Sequence, residues 1–178
     1  MSPQAVEVCD KLGLKVKKAE LLNLQIQEGQ FDAVFMFEVL EHLTQPKEYL
    51  MKIRGALRDG GALFITTPNF NSITRQLLME RWGLISREHL FYFTRKSLLN
   101  LLNECDFKIL EFGIKNICLP ELRRVFKKDI KRTFTSNQDL RKAIEKNKYL
   151  YFVKELVNRI LNFTGTGETM ELLCQKAG

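Results

Sequence analysis

The chain has 178 residues, 45% hydrophobic and 28% charged, a balance that excludes a disordered or fibrous protein and suffices for one domain with its own core. Its apolar runs, such as Ala33-Val34-Phe35-Met36-Phe37, fall far short of the ~20 residues that cross a bilayer, and its first residues lack the basic head and apolar run of a signal peptide, so a cytoplasmic location is expected. The net charge of +7 is concentrated: residues 115–160 hold 13 Lys or Arg against 5 Asp or Glu, and the remainder is close to neutral.

Ser2-Pro3 predicts a helix start, since serine caps well and proline is tolerated in the first turn. Val6, Cys9 and Leu12 recur at a helical interval, and Gly13 stops the run. A short strand is expected over residues 14–18. Residues 31–37, nearly all apolar, predict a fully buried strand of a parallel sheet covered on both faces. Thr44-Gln45-Pro46 starts a helix with core positions Tyr49, Leu50, Ile53 and Leu57, and Asp59-Gly60-Gly61 turns out of it. Residues 62–67 predict a second buried strand, stopped by Pro68-Asn69. A helix over 73–80 and a loop with Trp82 and His89 follow. Thr94 caps a helix carrying Leu98, Leu99, Leu101 and Leu102, and residues 107–114 predict a strand. Two basic helices, over 122–134 and 140–161, then precede the turn Gly165-Thr166-Gly167 and a last strand near 169–174.

Strands alternating with helices imply an α/β domain with right-handed crossovers. The expected organisation is an α/β core over 1–119, a basic helical insertion over 120–162 and a final strand over 163–178. The four cysteines, Cys9, Cys105, Cys118 and Cys174, form no C-x-x-C pair and are expected to be reduced and mostly buried.

In an open α/β sheet, ligands bind beyond the carboxyl ends of the strands. That rule points to Glu20, to the stretch from Phe37 to His42, and to Pro68-Asn69. The second is richest in chemistry. Glu38, Glu41 and His42 stand at i, i+3 and i+4, so a helical turn would project two carboxylates and an imidazole to one side, as a divalent-metal or acid–base site requires. The alternative is a solvated helix start with its acids favoured by the helix dipole. His89, the only other histidine, lies in the Trp-bearing loop.

The stretch Phe31-Asp32-Ala33-Val34-Phe35-Met36-Phe37-Glu38-Val39-Leu40-Glu41-His42-Leu43 resembles the fourth-strand signature of class I S-adenosylmethionine-dependent methyltransferases, nearest the ubiquinone-biosynthesis O-methyltransferase-like branch. Leu57-Arg58-Asp59-Gly60-Gly61, Phe64-Ile65-Thr66-Thr67-Pro68-Asn69, Trp82-Gly83-Leu84 and Phe93-Thr94 resemble segments that follow it. The resemblance implies a Rossmann-like sheet, mostly parallel with helices on both faces, and methyl transfer from S-adenosylmethionine to an oxygen of a small-molecule or glycan- or lipid-linked acceptor. By position, Glu20, Leu21, Phe37 and Glu38 would line the cofactor, and Glu38, Glu41 and His42 would bind a divalent metal such as Mg, with His89 a further ligand. His42 or His89 would otherwise serve as general base. The family's glycine-rich cofactor loop has no counterpart, so the resemblance implies a fold entered about one third of the way in, with an exposed sheet edge for a second copy or a partner chain. Other readings are a non-catalytic subunit and an RNA methyltransferase whose basic helices meet phosphates.

Overall fold

A computed structural model describes residues 3–116 and 148–177. Helix α1 (Pro3–Lys11) ends where Gly13 adopts a φ of 71°, with Gly13 N–H donating to Asp10 O and Leu14 N–H to Cys9 O. This is the left-handed glycine stop expected at that position. Residues 14–20 join no strand, contrary to the expected 14–18 strand. Alternating residues make a strand only where a neighbouring strand accepts their hydrogen bonds, and none lies beside these among the described residues.

Strand β1 (Phe31–Phe37) leads to α2 (Pro46–Ala56), which has proline in its first turn and buries Tyr49, Leu50 and Ile53. Leu57, expected to close that helix, opens β2 (Leu57–Pro68) instead. The Asp59-Gly60-Gly61 turn survives as an excursion inside the strand. Phe31 pairs with Leu57 and Ala33 with Ala62, while Gly60 takes a φ of 69°. Helix α3 (Ile73–Leu78) is capped by Ser72 and runs into a 3-10 turn over Met79–Arg81. Helix α4 (Arg95–Glu104) begins with a capping box, in which Thr94 and Ser97 each bond the other's main-chain N–H. Strand β3 (Phe107–Lys115), helix α5 (Lys148–Thr164) and strand β4 (Thr169–Lys176) complete the described chain. The expected basic helix over 122–134 lies outside the described residues.

The sheet order is β1-β2-β4-β3, with β1 and β2 parallel and β4 antiparallel to both β2 and β3. The last strand thus enters the middle of the sheet, so three strands run one way and the fourth against them. Met36, Leu63, Ile65, Met170, Leu172 and Cys174 pack with Leu50 and Ile53 of α2 and Leu98 and Leu102 of α4 in one core.

Strand β1 is not fully buried, contrary to the reading of its apolar run. Only Met36 is buried, whereas Phe35 is 62% and Phe37 60% exposed. These two rings stack at 6.0 Å, and Phe37 meets the half-buried Phe64 of β2 at 5.7 Å. Strand β1 is an edge strand, and among the described residues the helices α2 and α4 cover one face beside it and nothing covers the other. The opposite edge is handled differently. There Asn162 Oδ1 accepts from Ile114 N–H at 2.9 Å and Asn158 Oδ1 from Asn116 N–H at 3.1 Å, so α5 meets the outward amides of and beyond β3.

Candidate functional site

The site is built where β1 ends. Glu38 N–H donates to Thr66 O at 3.0 Å and to Thr66 Oγ1 at 3.2 Å, keeping the tip of β1 beside β2. Glu38 itself takes a φ of 50°, an uncommon left-handed conformation for a non-glycine residue. The chain then closes a 3-10 turn over Leu40–His42 that buries Leu40 and Glu41.

Glu41 is 1% exposed, and its carboxyl Oε2 accepts from Thr67 Oγ1 at 2.9 Å. Its main-chain carbonyl accepts from Leu90 N–H at 2.8 Å and Phe91 N–H at 3.1 Å, which draws the distant Trp-bearing loop onto the turn. The imidazole of His42 reaches the same loop, with Nδ1 2.8 Å from the Glu88 carbonyl. A carbonyl only accepts, so Nδ1 carries the proton and the lone pair of the neutral ring sits on Nε2. His89 follows Glu88, and its ring stands edge-on to that of His42 with centroids 4.7 Å apart. Donor atoms of Glu41, His42 and His89 lie within 4.8 Å of one another. Two buried atoms in this group, Glu41 Oε1 and His89 Nδ1, have no hydrogen-bond partner.

The three residues that converge are therefore not the three singled out by spacing. Glu38 stands outside the cluster because the i, i+3, i+4 argument assumes helix from residue 38. The left-handed turn at Glu38 delays the 3-10 geometry to Leu40, and Glu38 contributes no atom to the 4.8 Å group, although its carboxyl still feels both Glu41 and His42. His89, placed by the loop, takes the third position. The Glu38 carboxyl is held above its ordinary range chiefly by desolvation, with Glu41 adding to the rise and Thr66 and His42 opposing it.

The residues expected along the cofactor lie on two segments, Phe37 and Glu38 at the tip of β1 and Glu20 and Leu21 at a 3-10 turn. Glu20 precedes a 3-10 turn over Leu21–Asn23, and its carboxyl accepts from the Tyr49 hydroxyl, which holds that phenol above its ordinary range. Leu21 is half-buried against the core. Two concavities of about 340 and 250 Å³ lie elsewhere, one bordered by Asn69, Arg95 and Thr166, the other by Ile26, Met51 and Lys52.

The support beneath the loop is absent from the sequence reading. Glu168, buried just before β4, accepts from Trp82 Nε1 at 2.6 Å through Oε1 and from the Thr74 hydroxyl through Oε2. Trp82 lies 6.3 Å from the Tyr92 ring, and Tyr92 6.2 Å from that of His89. Asn69 Nδ2 donates to Gly165 O at 2.9 Å and Gly167 O at 2.8 Å, joining the end of β2 to the turn before β4. The sequence offered no signal for this network beyond an acidic residue just before the last strand. Thr67, which fixes Glu41, had no signal beyond its place at a strand end.

Comparison with known proteins gives the architecture its family. A family model described as a methyltransferase domain matches residues 5–111. A tRNA U34 carboxymethyltransferase from Alcanivorax borkumensis is 30% identical over 86 residues, which are 48% of this chain and 27% of that protein, so the chain spans about a quarter of that curated relative. Among solved structures, a methyltransferase from Thermotoga maritima aligns with a TM-score of 0.62 at 14% identity, covering 99% of this chain and 70% of that one. One from Archaeoglobus fulgidus aligns with a TM-score of 0.63 at 13% identity, covering 98% and 73%. At those identities the structures speak for the fold, and the family model for descent. The chain belongs to the class I S-adenosylmethionine-dependent methyltransferase domain family.

Proposed function

We propose that this chain carries the acceptor-activating side of a methyltransferase, with Glu41, His42 and His89 at its centre. The observation that carries the reading is that Glu41, His42 and His89 bring ligand atoms within 4.8 Å of one another at the carboxyl end of β1, while Glu41 Oε1 and His89 Nδ1 are buried without partners. The reaction proposed is transfer to an oxygen of a small-molecule or glycan- or lipid-linked acceptor, as in the ubiquinone-biosynthesis-like branch. With Nδ1–H tied to Glu88, His42 would take the hydroxyl proton on Nε2, and the neighbouring Glu41 carboxyl would hold the resulting imidazolium.

The same three residues fit a divalent cation, since two orphaned donors and a free imidazole nitrogen are what an ion would satisfy. Two imidazoles with one carboxylate suit a first-row transition ion such as Mn²⁺ or Co²⁺ better than the Mg²⁺ expected from resemblance. A cation held there lowers the pKa of a coordinated hydroxyl. For S-adenosylmethionine, which supplies an electrophilic methyl carbon when bound, the described residues fit as one open wall. Phe37 and Glu38 stand at the strand tip and Glu20 and Leu21 beside α2.

Calorimetric titration tests both halves. The cation reading expects micromolar Mn²⁺ binding that Glu41→Gln and His89→Ala each weaken at least ~10-fold while Glu38→Gln changes it little. Unchanged affinity in Glu41→Gln removes the cluster from the mechanism. Titration with S-adenosylmethionine decides whether the chain works alone: absence of binding assigns it to the non-catalytic, partner-completed reading. A second reading, an RNA acceptor, is favoured by the tRNA-modifying relative and the basic segment. It requires RNA affinity that falls steeply with salt.

A further inference from the structure

A cavity of about 340 Å³ opens between the end of β2, helix α3, the start of α4 and the turn that follows α5. Its wall is fixed by hydrogen bonds. Asn69 is fully buried, its amide donating to Gly165 O and Gly167 O and its Oδ1 accepting from Asn71 N–H at 3.0 Å. Thr166 O accepts from Ile73 N–H at 2.9 Å, which ties the turn to α3. Thr164 Oγ1 gives its one proton to the main chain of α5, to Ile160 O at 2.9 Å, so Thr166 Oγ1 donates in their 2.7 Å contact and neither hydroxyl has a proton left for a ligand. Two lining groups remain uncommitted. Arg95, the one charged residue among the described lining residues, holds its guanidinium over the Phe112 ring at 4.6 Å from the centroid, and no described residue accepts from its N–H groups. That contact steadies the head without using its donors. Phe163 borders the same cavity with its ring 93% exposed, and no described ring stacks on it.

We propose that this cavity binds an aromatic ring bearing an oxyanion, phosphate or carboxylate, as the recognition end of a small-molecule acceptor. The guanidinium fork matches either oxyanion with two parallel hydrogen bonds, and no described lining residue is acidic, so nothing there neutralises it first. The bare Phe163 face takes a planar ring by offset stacking. Size agrees with that occupant. A cavity of about 150 Å³ accepts a benzene, so this one has room for a ring and its charged substituent, at the lower end of the ~300–1,000 Å³ of ligand pockets. One ring and its anion fill it, which favours a small molecule over a nucleotide chain. Thr67, the residue that bonds Glu41, stands two residues before Asn69, so the cavity begins about 7 Å along the chain from the support of the Glu41, His42 and His89 cluster. The binding stands on the cavity alone, and its assignment to the acceptor rests on the methyl-transfer reading above.

Calorimetric titration of the full chain with phenyl phosphate, benzoate, inorganic phosphate and benzyl alcohol tests the proposal. Phenyl phosphate or benzoate should bind, the tighter of the two naming the oxyanion, and inorganic phosphate and benzyl alcohol should each bind at least ~10-fold more weakly. Arg95→Gln should weaken the tighter ring compound at least ~10-fold. Phe163→Ala should weaken it about threefold and leave inorganic phosphate unchanged. Both side chains are exposed, so each variant should keep the parent's urea midpoint. In the parent chain the amide resonances of Asn71 and Thr166 should move on titration, a reading that needs no substitution. Absence of binding by both ring compounds at millimolar concentration, equal affinity for inorganic phosphate, unchanged affinity in Arg95→Gln, or unmoved Asn71 and Thr166 amides overturns the proposal. Glu41→Gln should leave this binding intact, which separates the two readings. Ring binding without Mn²⁺ binding upholds the cavity and removes the cation reading of the cluster, and the reverse removes the cavity alone.

Discussion

Replacing Glu168 should loosen the loop that delivers His89, and the structure sets the size of the effect. In Glu168→Ala the Trp82 indole N–H loses its acceptor in a site that is 1% exposed, at a cost of about 2 kcal/mol. The Thr74 hydroxyl loses Oε2 but keeps Ser72 Oγ at 3.3 Å, so its loss is smaller, about 1 kcal/mol. The void left by the side chain adds to this and the relief of burying a carboxyl subtracts, leaving roughly 3 kcal/mol against a typical domain stability of about 5–15 kcal/mol. Glu168→Gln keeps an oxygen for Trp82 and should cost only about 1 kcal/mol. Urea unfolding followed by Trp82 emission reads both, since no other tryptophan contributes. A Glu168→Ala loss below about 0.5 kcal/mol with unchanged m-value, or a Gln variant as unstable as the Ala variant, would refute the assignment of the stability to these hydrogen bonds.

Two further outcomes follow from other parts of the fold. Asn162→Ala should leave Ile114 N–H without its acceptor, costing about 1 kcal/mol and raising hydrogen exchange at Ile114 while leaving the buried amides of β2 protected. An unchanged Ile114 rate would show that Asn162 does not guard that edge. Alkylation with iodoacetamide at pH 8 should modify Cys9, which is partly exposed, and spare Cys174, which is buried and whose thiol desolvation pushes up to about 12. The sign is that of a disfavoured thiolate, so native Cys174 stays protonated and inert until alkaline pH or unfolding. Peptide mass spectrometry showing equal labelling of the two would contradict that burial.

How much of this was legible depended on whether the deciding contact was local. The stop at Gly13, the cap at Thr94 and the start at Pro46 are set by residues within one turn of themselves, and sequence reading placed them. The face of β1 was misjudged because Phe35 and Phe37 carry the same apolar signal whether buried or exposed. What decides is how many layers the chain lays against the sheet, which no residue in the strand encodes. Leu57 fits the helical interval of α2, yet its pairing with Phe31 claims it for β2. The insertion of β4 between β2 and β3 is likewise a long-range event that its own eight residues do not announce.

The candidate site shows the same division in its chemistry. Glu41 and His42 were readable as a pair because one short turn presents both. The exclusion of Glu38 turns on a single left-handed backbone angle, and the entry of His89 on hydrogen bonds from a loop almost fifty residues later in the chain. That loop is fixed at two points, by the Glu41 carbonyl at one end and by Glu168 through Trp82 at the other. Because Glu168 immediately precedes β4, the distance between the two histidines depends on the last strand occupying the middle of the sheet. A cluster assembled in this way cannot form before the C-terminal strand has docked. The separation of the His42 and His89 rings is therefore a report on completed folding as much as on the chemistry of the site.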